Sequence, residues 1–83
     1  AFTQFEKEQM KADMEEFAFS NKIDYSIVSE LFMEYVFHNT ISDDDIRKRL
    51  TAYKIGLLKM TKLTKLVKLF VEDTYNKYKA EGE

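Results

Sequence analysis

The chain has 83 residues, 45% of them apolar, with twelve phenylalanines and tyrosines and a net charge of only −2. That is room for one small domain, which needs a dense core to be stable. Without cysteine it has neither a disulfide framework nor a thiolate metal site, which fits a reducing cytoplasm. No apolar run approaches the roughly 20 residues of a membrane span, and the first residues given do not read as a basic-then-apolar signal pattern.

The near-neutral total hides an asymmetry. Residues 1–45 hold eleven acids against Lys7, Lys11 and Lys22, whereas residues 46–71 hold eight bases (Arg47, Lys48, Arg49, Lys54, Lys59, Lys62, Lys65, Lys68) and no acid. Proline is absent and the glycines are only Gly56 and Gly82. With apolar residues recurring at three- and four-residue spacing, this predicts an all-α fold: a small bundle of about four helices in a single domain, residues 1–83. Beginning at Ala1 and ending in a polar tail, the sequence reads as part of a larger protein.

The first helix is predicted to begin at Thr3, where Thr3-Gln4-Phe5-Glu6 matches a capping box, and to stop near Ser20-Asn21-Lys22. Phe2, Phe5, Met10, Met14, Phe17 and Ala18 are its apolar positions, and Glu6 is placed among the water-facing ones. Asp24 is expected to cap the second helix through its side chain, with Ile23 stapled to Val28. Ile27, Leu31 and Tyr35 then recur beside Val28, Phe32 and Val36. A third, short helix has Ser42 as cap, Ile41 stapled to Ile46, and acids in its first turn where the helix dipole favours them. It should end near Leu50 or Thr51. Thr51–Gly56 is either a connector or a kink in a continuous helix, since glycine costs about 1 kcal/mol in a helix interior.

From Leu57 to about Lys79 runs the longest helix, basic and amphipathic. Met60, Leu63, Val67 and Phe70 form its apolar stripe, ending at Thr74. Leu66 and Leu69 widen the stripe on one flank, Leu57 and Val71 on the other, and Thr61, Lys65, Lys68 and Glu72 make a narrow polar band. Most of the leucines are thereby assigned to the core.

No catalytic constellation accompanies this pattern. Asp43-Asp44-Asp45 lacks the alternating ligands and turn glycine of a calcium loop. His38 has no second imidazole or cysteine to work with and is read as satisfying a helix-end carbonyl. Gly-rich phosphate loops and nucleophile triads are missing. Candidate function therefore falls on the basic surface: Arg47, Arg49, Lys59, Lys62, Lys65 and Lys68. Such a face serves as a solvated surface, as a protein interface, or as a salt-sensitive contact to nucleic-acid phosphates.

Taken together, Met14 to Phe19, Asn21-Lys22-Ile23-Asp24, Val28 to Phe37, Ile41 to Ile46 with Leu50, and Leu57 to Phe70 with Tyr75 carry a resemblance. In that order they resemble the C-terminal helical domain of the restriction (motor) subunit of type I restriction–modification enzymes. The shared pattern is an acidic helix, an aromatic-rich helix with a Glu-Tyr-x-Phe element, a capped short helix and a long basic helix. The resemblance implies a parent that is an ATP-dependent DNA translocase and endonuclease using ATP and Mg, with its nuclease and helicase motifs lying before this region. It further implies that this part holds the motor subunit to the methyltransferase and specificity subunits and performs no chemistry, the parent contacting DNA. The alternative expectation is a nucleic-acid-binding helical domain using the basic face of residues 46–71.

Overall fold

Side-chain caps set two of the helix starts. In the computed structural model, which describes residues 2–82, the Glu6 N–H donates to the Thr3 hydroxyl (3.1 Å) while the Thr3 N–H donates to the Glu6 carboxylate (2.7 Å). This reciprocal pair opens α1 (Gln4–Asn21). Folded back over its own helix end, Glu6 is buried, not water-facing as its polarity suggested. Phe5 reverses the other way and is exposed. α1 closes at Lys22, whose φ of 58° lies in the left-handed region; its N–H donates to the Phe19 carbonyl, and that of Ile23 to the Ala18 carbonyl. Glycine usually fills such a position, so a lysine here costs roughly 1 kcal/mol.

α2 (Tyr25–His38) follows with Asp24 at the cap position, but the Asp24 side chain makes no capping hydrogen bond. The residue is held by its backbone: its N–H donates to the Tyr53 hydroxyl at 2.7 Å, and its carbonyl accepts from Ile27. Ile23 and Val28, the expected staple, are both buried in the core. Asn39, in left-handed conformation at φ 62°, closes α2 with its N–H on the Tyr35 carbonyl, while His38 is exposed. α3 (Asp43–Leu50) is capped as expected by Ser42, whose hydroxyl accepts from the Asp45 N–H at 3.1 Å.

Thr51–Gly56 is a connector. Tyr53 donates its N–H to the Leu50 carbonyl and Ile55 to the Tyr53 carbonyl, and both side chains lie against the core. The Gly56 carbonyl then accepts from Met60, opening α4 (Leu57–Gly82). At 1.5 Å per residue a helix of 26 residues is about 39 Å long, which sets the 40 Å long dimension of the domain.

α4 packs against all three other helices, and α1 also packs on α2, making a four-helix bundle. Met10, Met14 and Ala18 of α1, Val28, Leu31 and Phe32 of α2, and Ile41, Ile46 and Leu50 around α3 meet Leu63, Val67, Val71 and Tyr78 of α4. The Phe17 and Phe70 rings stack at 4.2 Å, and Tyr75 lies among Phe2, Phe32 and Tyr35. The buried band of α4 is turned towards Thr64, Val71, Thr74 and Tyr78 relative to the expected stripe. Leu57, Leu66 and Leu69, assigned to the core by their apolarity, are exposed. Three neighbours cover one side of α4 only: Leu66 and Leu69 fall towards the side left open, while Leu57, on the same face as the buried Thr64 and Val71, is exposed at the helix start. No helix among the described residues is long and apolar enough to cross a membrane.

Candidate interaction face on the last helix

The six cations singled out in the sequence divide into two groups. Three are engaged inside the domain. Arg47 pairs with Asp44, Arg49 with Glu30 and with Glu34 (3.6 Å), and Lys68 with Asp43 (3.6 Å). The Arg47 guanidinium beside Asp44 holds its carboxyl below the usual carboxylate range. Asp43 and Asp44 thus have cationic partners, Lys68 and Arg47, and Asp45 stands beside the Glu34 carboxyl. Among the described residues no group of three potential ligands is arranged to hold a metal ion.

Lys59, Lys62 and Lys65 form the second group. All three are exposed, and none has an ion-pair partner among the described residues. Positions 58, 62, 65 and 69 are separated by four, three and four residues, so they share one helix face. On that face and its flank stand Leu58, Leu66 and Leu69, which are 80%, 45% and 57% exposed. The open side of α4 is therefore an alternation of leucine and unpaired lysine.

A hollow of about 250 Å³ borders this face. Ser20, Asn21 and Lys22 from the end of α1 line one side, and Lys59, Lys62, Leu63 and Leu66 the other. Lys22 was not among the sequence candidates. It lies far from Lys59 in the chain, and only the packing of the end of α1 against the first turns of α4 brings the three lysines around one hollow. The Asn21 side chain holds the last turn by donating to the Phe17 carbonyl at 2.9 Å.

A carboxyl cluster between α2 and α3 behaves differently. Glu34 is pushed above its ordinary value of 4.5 by a hydrogen bond to the Asp45 carboxyl, then by burial and the Asp45 charge, against the opposing pull of Arg49 and His38. A carboxyl raised in the folded state stabilises the fold most fully when protonated, and that contribution fades as pH rises through the folded value. Glu34→Gln supplies a permanent donor to Asp45. Thermal melts over a pH series should show the variant losing less stability than the parent between acidic and neutral pH, and matching or exceeding it at neutral pH. An unchanged pH profile would mean that the pair carries none of the dependence.

No protein-family model, curated protein or solved structure matched this chain.

Proposed function

We propose that this domain is an assembly module, docking a larger machine together through the open face of α4, and that its parent is a type I restriction motor subunit joined to its methyltransferase and specificity subunits. The observation that carries the assembly reading is the face itself: leucines at 58, 66 and 69 exposed beside lysines at 59, 62 and 65 that have no ion-pair partner among the described residues. Exposed apolar side chains gain from a dry contact, and single-signed charge around them selects the partner and its register. The restriction-subunit parentage is supported by the order and character of the four helices set out from the sequence.

The test reverses charge at Lys62 and Lys65, which make no ion pair among the described residues, and measures capture of the methyltransferase complex by the parent subunit. Lys68→Glu serves as comparison, because Lys68 is engaged with Asp43. Capture should fall with the Lys62/Lys65 variant while its circular dichroism is unchanged; undiminished capture would remove these lysines as the contact. The same unpaired lysines are what favours the second reading, a nucleic-acid-binding face. Phosphate contact would weaken steeply with added salt, so a domain with no affinity for duplex or single-stranded DNA even at low salt would exclude it.

A further inference from the structure

We infer that the partner seated on α4 is an acidic amphipathic helix, its apolar stripe laid along Leu58, Leu66 and Leu69 and one of its carboxylates placed among Lys22, Lys59 and Lys62. This rests on the reading of the domain as an assembly module and adds the chemistry of what it assembles with.

Three features select that partner. The first is the interleaving of charge and apolar surface. Each exposed leucine of this face has a lysine within one turn: Leu58 beside Lys59 and Lys62, Leu66 beside Lys62 and Lys65, Leu69 beside Lys65. A bilayer surface accepts an apolar face with its cations held at the edges; here insertion of the leucines would drag Lys62 and Lys65 with them. Phosphates would use the lysines and leave the leucines in water. An amphipathic helix with acids beside its apolar stripe satisfies both sets at once, in the helix-in-groove manner.

The second feature is length. From residue 58 to residue 69 the face spans about 16 Å, three helical turns, which suits a short partner helix. Every regular element among the described residues is a helix, so these residues offer no sheet edge for an extended peptide. The third is the hollow between α1 and α4, where Lys22 joins Lys59 and Lys62 beside the apolar Leu63 and Leu66. Three lysines lining one recess fit an anionic side chain, and Leu63 and Leu66 beside them give its methylenes apolar contact.

The probe is a synthetic helical peptide with one leucine stripe flanked by glutamates, titrated into the 15N-labelled domain. Its companions are the same peptide with lysines for the glutamates, a DNA duplex, and vesicles of mixed phosphatidylcholine and phosphatidylglycerol. Saturable binding of the acidic peptide is expected, with amide shifts confined to the α4 face and to Lys22. Lys62→Glu should weaken it about tenfold. Lys22→Gly should weaken it severalfold while retaining the fold, because glycine accepts the left-handed conformation that Lys22 now occupies. The double variant Lys59→Glu/Lys62→Glu should prefer the lysine peptide.

Equal affinity for both peptides, shifts that map elsewhere, or tighter binding to DNA or vesicles would overturn the inference. If the acidic peptide fails to bind while reversal at Lys62 and Lys65 still abolishes capture of the methyltransferase complex, the inference falls and the assembly reading stands. If the peptide binds as described while that capture is unaffected, the inference stands and the restriction-subunit partner falls.

Discussion

Tyr78→Ala should destabilise the domain by about 3–5 kcal/mol, the usual cost of removing a buried aromatic ring. A domain of this size is held by roughly 4–12 kcal/mol in all, so the variant loses between a quarter of its stability and the whole of it. The reason lies in where the ring sits. Tyr78 is buried one turn beyond Thr74, and its hydroxyl donates to Asp13 at 2.7 Å. Lys77 approaches the same carboxylate at 3.8 Å and lies over the Tyr78 ring. These contacts fasten the end of α4 to the middle of α1, and the hydrogen bond to Asp13, with burial, raises the Tyr78 hydroxyl above its ordinary range. Tyr78→Phe keeps the ring and removes only the donor. Asp13 is partly exposed and retains Lys77, so about 1 kcal/mol is expected, below the usual range for a bond to a charged group. Urea unfolding distinguishes the two contributions. Similar losses in both variants would mean that the hydroxyl matters more than the ring, and a loss under 1 kcal/mol for Tyr78→Ala would mean that α4 is not fastened here.

Tyr78 also marks a limit of what the sequence discloses. Helix starts and ends were legible because they rest on local chemistry: the Thr3–Glu6 box, the Ser42 cap and the turn at Asn21-Lys22 are each decided within a few residues. The absence of proline and the three- and four-residue spacing likewise settled the helical class. The rotation of α4 was not legible, because an apolar stripe this wide contains several possible core faces and the choice depends on where α1, α2 and α3 lie. Val71, Thr74 and Tyr78 follow one another at three- and four-residue spacing, a signal that extends the core by one turn, but the leucines outweighed it. The candidate site shows the same division. That residues 46–71 are basic is evident from composition, and the Arg47–Asp44 pair is local to α3; that Arg49 and Lys68 are engaged depends on Glu30, Glu34 and Asp43 arriving from other helices. Lys22 joins the site only through tertiary packing.

The short α3 is the element most exposed to a single substitution. Eight residues cannot sustain a helix alone in water, so α3 persists because Ile46 and Leu50 are wholly buried beside Ile41 against the core. Ile46→Ala should cost about 2–5 kcal/mol and Ile46→Val about 0.5–1.5 kcal/mol. Hydrogen exchange should show the α3 amides opening first in the alanine variant, with α1, α2 and α4 retaining more protection, since local openings follow the weakest packed unit. Protection lost uniformly across all four helices would mean that α3 unfolds only with the whole domain. Detaching α3 also releases Lys68 from Asp43 and Arg49 from Glu30 and Glu34. Yet Lys59, Lys62, Lys65 and the three leucines sit on α4, which α1 and α2 also brace. Under conditions where the rest of the bundle remains folded, binding of an acidic helix to that face should survive Ile46→Ala, and Lys68 should add to it. Binding that vanished with α3 would place the contact on α3 instead.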